Sequence, residues 1–255
     1  MNDFVITHFH RAGSSYLQNL LGSHKDIICY FRPFGSDLYE EYDSKKKYLH
    51  DIYAIDDERL AKMKDSALYN SKFDYIKDNI DNVKTILDLC YTDNKTVGVK
   101  FSFDEFKNHE ALSDYIDGKK IIILERKNLL RQVYSYYKAL RGKKEDWFVY
   151  EHENKVIKKE VFKFNEKWLN RVFQVVEKYY EDYDNLPHLK IYYEDLVEDT
   201  KKELSKVFDY IGVEDYEYEA KVPLIQNKYH MSEVVENFDE LKEQFKDTKY
   251  YEFFE

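Results

Sequence analysis

The chain has 255 residues, 43% of them apolar, and a formal net charge of -10. That length holds one sizeable α/β domain or two small ones. The acidic balance excludes a nucleic-acid binder that works through a basic surface, so any anion site must be a local basic pocket.

In chain order, Phe4-Val5-Ile6-Thr7 reads as a strand: apolar, β-branched and too short for a helix. Leu17, Leu20 and Leu21 then recur at helical spacing, with Gly22 as a stop. Between them lies Arg11-Ala12-Gly13-Ser14-Ser15. A small-residue loop that leaves a strand and opens a helix gathers backbone N–H groups where the helix dipole favours negative charge. Gly13 admits a phosphate close to the backbone, Ser14 and Ser15 add hydroxyl donors, and Arg11 adds a fixed cation. A Walker A loop, G-x-x-x-x-G-K-[ST], is absent, because the cation precedes the glycine and no lysine follows it. An ordinary strand–turn–helix with a serine cap is the competing reading.

Four further apolar runs read as buried strands: Asp26–Tyr30, Val97–Phe101, Lys120–Leu124 and Leu189–Tyr193. Helical patterns lie between and after them, over about 56–91, 129–140, 158–182, 201–211 and 232–246. The pattern over 158–182 carries a stripe of Phe164, Trp168, Val172, Val176 and Tyr179. Strands alternating with helices predict a parallel sheet of about five strands covered on both faces. The expected fold is one three-layer α/β domain over 1–255, with a P-loop-like strand–loop–helix. Helical insertions at 36–95 and 141–185 would cap an acceptor site. Such sheets bind ligands at the carboxyl ends of their strands.

Cys29 and Cys90 lie far apart without a C-x-x-C, so neither a disulfide framework nor a zinc ligand set is indicated. Asp3, His8, His10 and Arg11 interrupt any signal-peptide core. No apolar run approaches the ~18 residues of a membrane span, and a cytoplasmic location is expected. The 25 tyrosines and 17 phenylalanines read partly as coding bias rather than as a ligand box.

Ile121-Ile122-Ile123-Leu124 is followed by Arg126, and the next helix carries Arg131 and Ser135 on one face. This repeats the layout at Arg11. Two such strand ends could hold two anionic groups of one ligand. Alternatively, Arg126 and Arg131 are surface charges paired with Glu125 or nearby aspartates.

Together the two loops resemble the PAPS-dependent sulfotransferases, PAPS being 3′-phosphoadenosine 5′-phosphosulfate. Thr7 through Leu17 is similar to their 5′-phosphosulfate loop, commonly [KR]-S-G-T-T-[WL]-L. Ile121 through Ser135 is similar to their 3′-phosphate site, and its Arg-x-Asn-Leu-Leu-Arg-Gln looks most like the bacterial carbohydrate- and lipid-modifying branch. Gly98-Val99-Lys100, Tyr192-Tyr193-Glu194-Asp195-Leu196 and Asn237-Phe238-Asp239-Glu240-Leu241 match later family segments in the right order.

The resemblance implies sulfuryl transfer from PAPS to a hydroxyl or amine, leaving PAP, with no metal ion. The acceptor would be a small molecule, carbohydrate or lipid; nucleic-acid partners and integral membrane segments are not expected. It places Arg11 and the N–H groups of Ala12, Gly13, Ser14 and Ser15 at the 5′ end, and Arg126 and Ser135 on the 3′-phosphate. Tyr16 and Tyr193 fall where the family contacts adenine, or are core tyrosines. Lys100 could reach the sulfuryl group, or simply end its strand.

The general base departs from the family pattern. Arg32 stands before Pro33 where the bacterial branch often has a glutamate. Glu105 is the first choice and Asp104 the second, near where other members carry a histidine. His8 and His10 flank the first loop as further candidates, and His109 reads as a solvated helical residue. Arg32 would suit an anionic acceptor. It would equally suit a non-catalytic PAP-binding protein on the same fold. A P-loop nucleotide kinase is the remaining alternative.

Overall fold

The computed structural model describes residues 3–31, 58, 61–62, 80–91, 95–102, 112–141, 159–216 and 229–255. The chain divides into two compact units, 1–9 with 13–125 and 186–221, and 10–12 with 126–185 and 222–255.

The first unit is built on five parallel strands: β1 (Phe4–His8), β2 (Ile27–Phe31), β3 (Thr96–Ser102), β4 (Lys120–Glu125) and β5 (His188–Tyr192), in the order β2-β3-β1-β4-β5. All five predicted strands are present, each within a residue or two of its expected limits. β1 is central and buried throughout, which is why its run is apolar without alternation. Gly98 of β3 lies opposite Phe4 of β1, and a Cβ there would stand 2.2 Å from the Phe4 ring. Only glycine lets these strands pair with that ring between them.

α1 (Ser14–Gly22) follows β1, and Leu17, Leu20 and Leu21 on it are fully buried. Each such leucine contributes about 1.5–3 kcal/mol. α2 (Ile80–Cys90) precedes β3, and a four-residue turn of helix, α3 (Ser113–Ile116), precedes β4. β1 and β4 are neighbours whose onward connections run to opposite edges of the sheet. Their carboxyl ends form the switch point where α/β sheets take ligands. After β5 the chain turns into α6 (Tyr193–Glu198) and α7 (Thr200–Ile211), which ends on left-handed Gly212. Tyr193, expected to close the strand, instead opens α6.

The second unit holds α4 (Leu129–Arg141), α5 (Glu166–Tyr183), α8 (Met231–Val234), α9 (Phe238–Gln244) and a closing 3-10 turn, Lys249–Phe254. Two expectations are corrected here. The helix predicted over 158–182 begins only at Glu166, capped by the Asn165 side chain on the Trp168 N–H (3.1 Å). Its buried residues are Leu169, Phe173, Val176, Tyr179, Tyr180 and Tyr183, so Val176 and Tyr179 of the predicted stripe are buried on it, while Phe164 lies outside the helix. The helix predicted over 232–246 breaks at Val235, which pairs with Phe162 as an isolated parallel bridge. The Phe162 carbonyl accepts from the Glu236 N–H at 2.8 Å, so backbone pairing overrides helical spacing. Of the pattern over 56–91, 80–90 is helical, and most of the rest lies outside the described residues.

Candidate functional site

β1 ends at His8, and the loop beyond it holds two residues with positive φ. Arg11 has φ 64, the one non-glycine residue there with positive φ, and Gly13 has φ 92. A left-handed arginine costs about 1–2 kcal/mol, which a loop retains only when its surroundings impose it. Gly13 is the N-cap of α1, yet no side chain caps this helix and its first turn holds no acid. Among the described residues, no acceptor lies on the N–H groups of Gly13, Ser14 or Ser15. Three donors at a helix N-terminus are therefore without an acceptor among the described residues, which is an arrangement suited to an anion.

The ring of Tyr193 fills the space beside Gly13, where a Cβ would stand 2.1 Å from it. Glycine is thus required twice, by φ and by the ring. Lys100, on β3 and 2% exposed, brings Nζ to 3.3 Å from the Ser15 hydroxyl. A lysine this buried carries its charge to the loop through a low-dielectric surrounding. Burial pushes the Cys29 thiol up to about 12, against the attraction of Lys100. Tyr16 Oη is 3.5 Å from Thr200 Oγ1. His8 is buried, with Nδ1 2.9 Å from the Phe9 carbonyl oxygen, which can only accept. Nδ1 therefore carries the hydrogen of the neutral ring.

In the second unit, α4 meets residues 10 and 11. Arg11 Nε donates to Ser135 Oγ at 3.1 Å. Gln132 Nε2 donates to the His10 carbonyl at 2.9 Å. The His10 ring stacks on Tyr136, centroids 5.6 Å apart at 14°. Asn128 caps α4 through the Arg131 N–H (3.0 Å), and its own amide donates to the Phe253 carbonyl (3.2 Å). Arg126 is half-buried just before this capped turn.

Arg11 and Ser135, expected at opposite ends of one ligand, are therefore hydrogen-bonded partners. Glu125, considered as a partner for Arg126, forms an ion pair with Lys190 at 2.8 Å. Arg32, Asp104, Glu105 and His109 lie outside the described residues. Gln132 was missed by sequence reasoning. It closes the Arg-x-Asn-Leu-Leu-Arg-Gln segment but was given no role, and its other signal is an amide among the apolar residues of a helix face, three residues before Ser135. The role of Tyr193 against Gly13 had no local signal. No helix among the described residues is long and apolar enough to cross a membrane.

Comparison with known proteins shows what the chain is similar to. The structure is similar to a sulfotransferase from Mycobacterium avium, with TM-score 0.52 and 12% identity over 96% of this chain and 75% of that one. It is also similar to a sulfotransferase from Alicyclobacillus acidocaldarius, with TM-score 0.47 and 17% identity over 99% and 94% of the two chains. No curated protein matches the chain significantly. Residues 3–218, from the start of β1 past the end of α7, match the profile of the sulfotransferase family, and the chain belongs to that family.

Proposed function

We propose that the protein is an enzyme that moves a sulfuryl group from PAPS to a hydroxyl or amine of a carbohydrate, lipid or other small acceptor. The observation that carries this reading is the loop after β1. In a chain of the sulfotransferase family, its three N–H groups at an acid-free helix start lack acceptors among the described residues, and Lys100 reaches the adjoining Ser15 hydroxyl. These groups suit the 5′-phosphosulfate, and Arg126 with Ser135 suits the 3′-phosphate. Tyr16 and Tyr193 border the adenosine. The Arg-x-Asn-Leu-Leu-Arg-Gln segment supports the carbohydrate or lipid class of acceptor.

In the reaction, the bond from sulfur to the bridging phosphate oxygen breaks as a bond from sulfur to the acceptor oxygen or nitrogen forms. The acceptor's proton passes to a base, with Glu105 the first choice and Asp104 the second. Negative charge grows on the bridging oxygen. Arg11 and the N–H groups of Gly13, Ser14 and Ser15 oppose that charge. Arginine remains protonated, so it stabilises the leaving group without donating a proton. Such in-line transfer needs positioning and charge stabilisation more than covalent help.

The reading is tested with PAP and ATP in thermal denaturation, followed by transfer from sulfur-35-labelled PAPS to a panel of sugars, lipids and aromatic alcohols. PAP should raise the melting temperature, ATP should not, and label should move to an acceptor. A shift with ATP alone would sink the donor assignment. PAP binding without transfer to any acceptor would favour a binding protein on the same fold.

A further inference from the structure

Gln132 is 1% exposed on a helix whose other buried residues are Leu129, Leu130, Val133 and Tyr134. Packing alone would be served by leucine or methionine there. Its Nε2 donates to the His10 carbonyl, an atom that only accepts, so the amide's orientation is fixed. Its Oε1 is buried and has no hydrogen-bond partner among the described residues. Half of the amide is thus carried at a cost for the sake of the half that meets His10.

The His10 carbonyl belongs to the peptide that leads into Arg11, whose φ of 64 is unfavourable for arginine. Three residues before Ser135 on the same face of α4, Gln132 holds that peptide while Ser135 holds the Arg11 Nε. Tyr136 stacks on the His10 ring one turn from Gln132.

We infer that Gln132 is a positioning residue for Arg11: it fixes the left-handed backbone that aims the guanidinium at the 5′-phosphate group of the donor. The inference rests on the proposed donor site. Gln132 touches no ligand and acts only through Arg11.

The test is calorimetric binding of PAP, adenosine 5′-phosphate and adenosine 3′-phosphate to the full chain and to Gln132→Leu, Arg11→Ala and the double variant. Gln132→Met serves as a second variant of similar shape should Gln132→Leu fail to fold. The loss of one neutral hydrogen bond predicts that Gln132→Leu weakens PAP and the 5′-phosphate about fivefold. Adenosine 3′-phosphate should bind unchanged, and Gln132→Leu should add nothing in the Arg11→Ala background. A merely structural role would weaken the 3′-phosphate equally or persist without Arg11, and either result overturns the inference. So does unchanged 5′-phosphate binding in a wild-type chain that binds PAP, which leaves the donor reading standing. Failure of the wild-type chain to bind PAP overturns the donor reading, and the inference with it.

Discussion

The ends of β1 and β4 carry the same order of parts: a strand, an arginine, and a helix bearing a serine. Their backbones are opposite in kind. After β1, the N-cap is left-handed Gly13 and, among the described residues, no side chain caps the first N–H groups of α1. After β4, Asn128 caps α4 and is itself tied to the Phe253 carbonyl. On the proposed reading the first end would offer an anion its backbone, whereas at the second Asn128 already takes the Arg131 N–H and the side chains of Arg126 and Ser135 would do the binding. Matching sequence layouts would then bind charge by different means, and the two ends should respond differently to substitution. A backbone site is lost whole when its one special residue changes. A side-chain site loses affinity contact by contact.

The sharpest way to break the comparison is Gly13→Ala. The new methyl group would meet the Tyr193 ring at 2.1 Å and hold alanine at φ 92. Left-handed strain and overpacking together cost about 2–5 kcal/mol. The expected result is a lower melting temperature and no further stabilisation by PAP. A Gly13→Ala protein that melts and binds PAP like wild type would show that the loop does not depend on its backbone.

Arg126→Ala should have a smaller and selective effect. Losing a charged hydrogen bond to the 3′-phosphate should weaken PAP about 10- to 100-fold. Adenosine 5′-phosphate, which lacks that group, should bind within about twofold of wild type, the scatter expected of a distant substitution. Equal losses for both nucleotides would remove Arg126 from the 3′-phosphate site.

The sequence shows the two ends as one repeated layout, and the contrast between their backbones was not legible in it. Continuous apolar β-branched runs marked the buried strands, because parallel strands covered on both faces need no polar alternation. The small-residue loop and the two arginines were visible for the same local reason. What escaped was set by distant partners. Gly13 is explained by Tyr193, from another part of the chain. The Gln132 bond to His10 spans 122 positions. The break in the C-terminal helix comes from Phe162 pairing with Val235, which periodicity cannot register. Sequence patterns report what a segment prefers, whereas these features depend on what the fold brings against it.

The smallest effect concerns whether the cation beside the first end is opposed by a neighbouring anion. Lys100 draws the Cys29 thiol toward ionisation, but burial outweighs it and pushes the thiol up to about 12. Cys29 is therefore neutral at physiological pH, and no thiolate there offsets the lysine's charge near Ser15. In the unfolded chain the same thiol ionises near an ordinary value of about 8.5. Below that pH both states keep the proton and the contribution to stability is complete. As pH rises toward 12 the unfolded state loses a proton that the folded state retains, so stability falls. One such group gives a slope no steeper than about 1.4 kcal/mol per pH unit. Urea denaturation at pH 8 and pH 10 should show a larger alkaline loss for the wild-type chain than for Cys29→Ala, whatever the variant's stability at pH 8. Equal losses would mean that Cys29 ionises in the folded chain near its ordinary pH, leaving a thiolate to oppose Lys100. The charge offered at the β1 end would then be smaller than the burial of Lys100 suggests.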